Sequence, residues 1–384
     1  MTLLLAVGLA VLVALAVLLV ALVWRGSSLL LVPRPYALMP EFTVLGYAEG
    51  EVTLPQPRSP RQFADTRREG VYALLWRGGH GRLGAIVRDD AGGVVRPLSI
   101  VCGAPPRAGE PARMDNFIYR RDPRQDLQLP FEDVTVESDV GELAGWWLAG
   151  GPGSETAVLV VHGRRRGERS ETLRALPAVV AAGCGALVLA YRNHRDAPPS
   201  PDGLYHYGET EAADVMAGVR FLAERGARRV ALFGFSMGAA AGLEAVKRWP
   251  PDAPVLTGLV FDSPLVDPAA STVARIENAG MPFPRAWARA SLMAAAWRSG
   301  VHWPSLDQRR SAERVRVPVL LIAGTRDRTV PIAVVDDFAA RLAGPVRYRR
   351  VEGADHVEAW NLDPEAYAAW VRDFLTETLG TRAP

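Results

Sequence analysis

Lysine is almost missing from this 384-residue chain: Lys247 is the only one among 44 basic residues, and the rest are arginine. A one-sided choice between two residues of like charge points to a GC-rich bacterial genome rather than to a binding surface. Neither sign of charge is in excess. Against the 44 basic residues stand 42 acidic ones, for a net charge of +2, which argues against a nucleic-acid partner. Cysteine is scarce too. Cys102 and Cys184 make neither a disulfide framework nor a metal-ligand spacing, and Cys184, beside an apolar run, reads as an inert core thiol. There is no H-E-x-x-H, no P-loop and no glycine fingerprint of a dinucleotide site. No metal or cofactor is therefore expected.

One stretch lacks charge altogether. Leu3–Trp24 runs for 22 residues without a charged side chain. As a helix it would span about 33 Å, enough to cross a bilayer. A cleaved signal peptide would want a basic start, a shorter apolar core and a small-residue cleavage site. Here no Lys or Arg precedes the run, Val23-Trp24-Arg25-Gly26 is a poor cleavage site, and no lipobox cysteine is present. The expectation is a single-pass transmembrane anchor over residues 1–26. Arg25 and Arg34 on its C-terminal side favour a cytoplasmic body.

Residues 27–130 read as a proline-spotted tether, Ser27–Pro60, followed by a small β-rich domain. "GVYALLW", "RLGAIVR" and "GVVRPLSIV" are short apolar runs, with turns at Gly78-Gly79 and Asp89–Gly93. A Pro/Arg-rich segment, Pro105–Pro130, closes this part. It holds no cluster of catalytic residue types, so a packing or spacer role is expected.

From residue 131 to 384 the rhythm changes. "FEDVTVES" and "GELAGWWLAG" suit an antiparallel pair. Apolar runs then alternate with helical patterns. Strands are expected at Ala157–Val161, Ala186–Tyr191, Val230–Phe235, Leu259–Phe261, Val317–Ala323 and Val346–Val351. Helices are expected at Ser170–Ala182, Glu209–Arg225, Gly238–Arg248, Ile332–Leu342 and Pro364–Leu379. Such alternation implies an α/β fold with a mostly parallel sheet covered by helices on both faces. In these sheets the working residues sit at the C-terminal ends of the strands.

Three strand ends carry chemistry. Gly234-Phe235-Ser236-Met237-Gly238 is a G-x-S-x-G pattern between a strand and a helix. That pattern strains a serine into an exposed turn, flanked by glycines because larger side chains would collide. Strand Val317–Ala323 leads to Gly324-Thr325-Arg326-Asp327, and strand Val346–Val351 leads to Gly353-Ala354-Asp355-His356. Serine needs a base of near-neutral pKa to become a nucleophile, and an imidazolium needs a carboxylate behind it. Asp262 in "FDSP" also follows a strand and competes with Asp327 for the acid. Asp355 is adjacent to His356 in sequence and poorly placed to reach its ring.

The chain order Ser236, Asp327, His356, each after a strand, resembles the alpha/beta-hydrolase superfamily in its esterase, lipase and serine-aminopeptidase-like branches. The resemblance covers about Val134 to Leu379. It implies an oxyanion hole made by the backbone N–H groups of Met237 and of Arg164, the latter in His162-Gly163-Arg164-Arg165-Arg166-Gly167. His162 is then a structural residue, and the arginines read as a solvated loop paired with Glu168 and Glu171. Tyr191-Arg192-Asn193 stands where the superfamily often has Tyr-Arg-Gly. Pro264–Val315, with Met281, Phe283, Trp287, Met293, Trp297 and Trp303, falls where lids are inserted. A small helical lid over about residues 264–315 and a substrate with an apolar acyl or alkyl part are expected. The leading expectation is a membrane-anchored serine hydrolase that cleaves an ester, thioester or amide through an acyl-enzyme. An acyltransferase or peptidase would use the same residues. A catalytically silent membrane scaffold is the alternative from another class.

Overall fold

The computed structural model describes residues 2–35, 39–57, 65–151, 153–164 and 166–380. Arg165 of the arginine run, and residues 36–38 and 58–64 around the expected tether, lie outside them.

The first helix, α1, spans Thr2–Leu31, well past Trp24. Its apolar stretch from Leu5 to Leu31 is long enough to cross a membrane, and large side chains such as Leu9, Leu12 and Val20 are exposed along it. The start of the expected tether is helical because it finds a packing partner. Gly26 lies so close to Ser291 that a Cβ would collide with its hydroxyl. Arg298 donates to the hydroxyls of Ser27 and Ser28 at 2.7 and 2.8 Å, and Leu30 and Leu31 are buried in the body. Tertiary contact thus extends a helix beyond its apolar run.

Strands β1 (Phe42–Thr43), β2 (Gly46–Ala48), β3 (Glu51–Leu54), β4 (Tyr72–Trp76), β5 (Gly79–Leu83), β6 (Arg88–Asp90), β7 (Gly93–Gly103) and β8 (Pro111–Asp115) form an antiparallel sheet. Its order is β1-β8-β4-β5-β7-β3-β2, with β6 on β7. Three differences from the sequence reading stand out. Strands β1, β2 and β3 fall inside the expected tether Ser27–Pro60, because β1 pairs with β8 and β3 with β7. "RLGAIVR" is not one strand: β5 ends at Leu83 and β6 begins at Arg88. Strand β8 falls inside the Pro/Arg-rich segment Pro105–Pro130, because β1 and β4 pair with it on either side. Val52, Leu54, Leu74, Leu83 and Leu98 make this region's own core.

The second sheet contains β9 (Glu132–Ser138), β10 (Gly141–Leu148), β11 (Thr156–Val161), β12 (Gly185–Leu189), β13 (Arg229–Phe235), β14 (Val255–Asp262), β15 (Val319–Gly324) and β16 (Val346–Val351). Its order is β16-β15-β14-β13-β11-β12-β10-β9. Strand β9 is antiparallel to β10 and β10 to β12, and the remaining pairs are parallel. The central strands are buried on both faces, which is why they read as unbroken apolar runs. The helices are α2 (Pro123–Leu127), α3 (Leu176–Ala181), α4 (Ala212–Glu224), α5 (Met237–Val246), α6 (Pro268–Asn278), α7 (Pro284–Ser299), α8 (Ile332–Arg341), α9 (Ala359–Leu362) and α10 (Pro364–Leu379). One core cluster joins Leu159, Leu232 and Phe261 to Val215 and Leu243. Another joins Val160, Phe233 and Ile322 to Val179 and Phe374.

Helices α6 and α7 occupy the expected lid, and α7 packs against α1. Phe283 and Trp297 are 79% and 80% exposed rather than turned to a buried site. Instead Trp297 meets Trp24 of α1 edge-on at 6.4 Å between ring centroids.

Candidate active site

Strand β13 runs into Ser236 and α5 starts at the next residue. Ser236 has φ 49° and ψ −111°, a backbone conformation costly for a residue with a side chain. The surroundings over-determine it. Ser236 N–H donates to Asp262 O at 3.0 Å, and Leu265 N–H donates to Ser236 O at 3.1 Å. A Cβ on Gly234 would lie 2.5 Å from Ala239 Cα, and one on Gly238 would collide with the carbonyls of Val161 and His162. The two glycines are therefore required by close backbone approach, as the sequence pattern suggests.

His356 stands on the loop after β16. Its Nε2 is 2.9 Å from Ser236 Oγ and its Nδ1 is 2.8 Å from Asp327 Oδ2. The other oxygen of Asp327 accepts the N–H groups of Thr329 and Val330 at 2.8 and 2.7 Å, which fixes the carboxylate. This arrangement makes Nδ1 the donor to Asp327 and leaves Nε2 to accept from the serine. Burial disfavours the imidazolium, but the Asp327 carboxylate and its hydrogen bond, with Asp355 and Asp262 nearby, outweigh it. The His356 pKa is held above its ordinary value of 6.5.

The two other carboxylates are engaged elsewhere. Asp262 accepts from Tyr367 OH at 2.9 Å and from Ser263 Oγ at 3.1 Å, and burial raises its pKa. Asp355 accepts the backbone N–H of His356 and, from Arg328, both the backbone N–H and Nε.

The loop after β11 lies against the serine. A Cβ on Gly163 would be 3.4 Å from Ser236 Cβ and 2.7 Å from Glu171 Oε1, so the nucleophile's side chain and this carboxylate flank one glycine. Met237 N–H opens α5, among the donors left without an intrahelical partner. Arg164 follows Gly163, and its guanidinium points away from the serine to Leu30 O at 2.7 Å and Tyr207 OH at 2.8 Å. Arg166 is buried, with Nε 3.1 Å from Glu168 and Nη1 3.1 Å from Tyr119 O. The arginine run is thus not a solvated loop at Arg164 and Arg166: both tie neighbouring segments together. His162 is buried under Tyr191, with its pKa lowered by burial to about 4, as suits a structural residue. Asn193 supplies the left-handed conformation (φ 67°) that the absent glycine would have. Its Nδ2 donates to Leu204 O at 2.8 Å.

A family model described as the alpha/beta hydrolase family matches residues 158–370. The chain belongs to that family. A second model, of a domain of unknown function, matches residues 43–115 of this hydrolase. An uncharacterised protein of Mycobacterium tuberculosis is 33% identical over 255 residues, 64% of this chain and 79% of that one. An esterase of Pyrococcus furiosus superposes with a TM-score of 0.52 at 21% identity, over 68% of this chain and 96% of its own. In a second crystal form the same esterase gives 0.52 at 22% identity, covering 68% and 98%. At such identity the likeness speaks for the fold.

Two features of the hydrolase's site escape the sequence reading. Glu171, expected in a solvated pairing, is fully buried. Burial pushes its carboxyl up to about 7, against the opposing pull of Arg174, Arg166, His356 and the Gly163 N–H. Its only sequence signal is an opposite charge three residues on, Arg174, within the polar stretch Arg169–Arg174 that precedes an apolar run. The second is the position of the β-rich region. Asn116 Nδ2 donates to His356 O at 3.4 Å, and Arg68 bridges Asp355 and Glu358. The region expected to be a spacer abuts the loop that carries His356.

Proposed function

We propose that this hydrolase cleaves an ester, thioester or amide through an acyl-enzyme on Ser236. The observation that carries the reading is the hydrogen-bonded series Ser236–His356–Asp327 on a strained strand-to-helix turn. In the first half-reaction Ser236 Oγ bonds to the acyl carbon as its proton passes to His356 Nε2. The same proton then goes to the departing alcohol, thiol or amine. Water repeats the sequence and releases the acid. Asp327 holds the Nδ1–H tautomer and stabilises the imidazolium. The N–H groups of Met237 and Arg164 are the proposed donors to the oxyanion, worth about two to three orders of magnitude in rate each.

Helix α1 anchors this body to a membrane in the same reading, supported by its length and its uncovered apolar surface. Arg25 and Arg34 favour a cytoplasmic body. The catalytic proposal is tested with a fluorophosphonate probe and Ser236→Ala. Ser236 should be labelled, and the variant should lose turnover by a factor on the order of 10⁶ at an unchanged melting temperature. A folded variant with near-normal turnover removes Ser236 from the reaction.

A further inference from the structure

We propose that the end of α1 belongs to the active-site scaffold: the Leu30 carbonyl, acting through the Arg164 side chain, holds the loop that supplies the second oxyanion donor. The inference deepens the serine-hydrolase reading and rests on it, in particular on the Arg164 N–H as that donor.

An oxyanion hole works because its dipoles stand in place before the charge develops. The loop after β11 has one firm end. His162 is buried, and its carbonyl accepts from Tyr191 OH at 3.1 Å. Gly163 comes next. It lies against Ser236 and has no side chain to restrain its backbone. Arg164 is therefore the first residue past the glycine whose side chain can fix the loop.

That side chain is clamped. Arg164 Nη1 donates to Leu30 O at 2.7 Å and to Tyr207 Oη at 2.8 Å, and Tyr207 OH donates to the same carbonyl at 2.9 Å. The guanidinium also lies over the rings of Tyr205 and Tyr207, 5.5 and 5.3 Å from their centroids. A helix C-terminus suits a cation, because its last carbonyls lack intrahelical partners and form the negative end of the helix dipole. The adjoining carbonyl, Leu31 O, accepts Tyr205 N–H at 2.8 Å. Leu30 and Leu31 are buried, so little water competes for these acceptors.

The partners of Arg164 are themselves held. Tyr207 has φ 56°, a strained backbone for an aromatic residue. Gly208 beside it packs so closely on α5 that a Cβ would lie 2.9 Å from the Ala240 carbonyl. Helix α5 is the one that begins next to Ser236. On its other side, the end of α1 is seated by Gly26 against Ser291 and by Arg298 on Ser27 and Ser28. One guanidinium thus joins the anchor helix to the loop facing the nucleophile.

The test uses full-length protein in detergent micelles, with 4-nitrophenyl butyrate as substrate and a trifluoromethyl ketone whose adduct with the serine carries an oxyanion. Arg164→Met should lower kcat by about 10- to 100-fold, the scale of a displaced donor, with KM within about threefold of wild type. Its inhibition constant for the ketone should rise by about the factor by which kcat/KM falls. Arg164→Lys can still donate to Leu30 O and should recover most of the loss. Tyr207→Phe, a milder lesion, should lower kcat by about threefold or more and decides the matter if Arg164→Met does not fold. Gly26→Leu, which forces α1 away from Ser291, should also lower kcat, and combined with Arg164→Met it should be no slower than Arg164→Met alone. Wild-type kcat in the Arg164→Met or Tyr207→Phe protein overturns the inference. So does lost turnover with unchanged ketone binding, or additive losses in the double variant. Arg164→Pro removes the N–H itself and should cost about tenfold more than Arg164→Met. A cost no greater sinks the donor assignment, and failure of a fluorophosphonate to label wild-type Ser236 sinks the hydrolase reading.

Discussion

Replacing Glu171 by glutamine should stabilise the protein, and by more at pH 8 than at pH 5.5. Glu171 is fully buried, its Oε2 receives no hydrogen bond among the described residues, and burial raises its carboxyl from 4.5 to about 7. The native state therefore holds this proton more tightly than the unfolded chain does. Stability falls as pH rises from about 4.5 through about 7, the window in which the unfolded state has ionised and the native state resists. At about 1.4 kcal/mol per pH unit, the raised carboxyl costs about 3 kcal/mol of stability at pH 8 and roughly half of that at pH 5.5. Glutamine keeps the shape and can still accept from Gly163 N–H, but carries no charge to desolvate. Thermal unfolding of wild type and Glu171→Gln, followed at both pH values in one detergent, reads the difference directly. The variant's advantage should grow by about 3 °C between pH 5.5 and pH 8. An advantage that is the same at both pH values, or a variant less stable than wild type at pH 8, would refute the account of the buried carboxyl.

Asp327→Asn should lower kcat by about 10⁴-fold through loss of the charge facing the imidazolium, whereas Asp262→Asn should cost far less. Reversed effects would move the acid to the end of β14. The acid limb of the kcat/KM profile should have its midpoint above the ordinary histidine value, because His356 must be neutral to act as base and its pKa is raised; a midpoint below 6 would contradict this. Two alanine substitutions on one helix should act oppositely. Gly238→Ala collides with backbone carbonyls and should lower the melting temperature and turnover together. Gly242→Ala meets only Phe261 and Leu232 side-chain atoms at 3.6 and 3.7 Å and should gain about 0.5–1 kcal/mol in helix propensity; unfolding of the purified variants decides. The full chain should stay with membranes through high-salt and carbonate washes, and protease should reach the body only from the cytoplasmic side. Digestion in intact spheroplasts would reverse the orientation.

Ser236 is legible in the sequence because the signal that marks it is local. Five consecutive residues carry both glycines, the serine and the first turn of α5, and apolar runs on either side mark a strand and a helix. Asp327 is legible for a related reason: it follows β15, a buried parallel strand that reads as an unbroken apolar run. His356 follows β16, a half-exposed edge strand rich in arginine, and is legible through the order of the three motifs. Asn193 shows the limit of matching residue types. A missing glycine leaves the Tyr191-Arg192-Asn193 turn undetermined in the sequence, yet asparagine adopts the same left-handed backbone and adds a hydrogen bond to Leu204 O. The end of α1 is not legible, since Gly26 to Leu31 become helical through contact with α7, some 260 residues away in the chain.

Glu171 misleads, and Arg68 passes unread, for one common reason. A charged residue in a sequence is assigned to solvent unless its partner is within a few positions, because long-range partners leave no periodic trace. Glu171 gains its meaning from Gly163, Arg174 and Ser236. Arg68 gains its meaning from Asp355 and Glu358, 287 and 290 positions further along the chain. Local pattern therefore locates the reacting atoms, whereas the groups that surround them come from segments whose own patterns describe only a sheet. The β-rich region illustrates this. Its hydrophobic alternation records the side that packs on its own core, around Leu54 and Leu74. The opposite requirement, a polar side set against the His356 loop, is written in Arg68, Arg113 and Asn116, which no repeat or motif connects. A sequence reading that finds no catalytic cluster in such a region describes its chemistry in isolation. Its contribution to the site begins only where it meets the loop after β16.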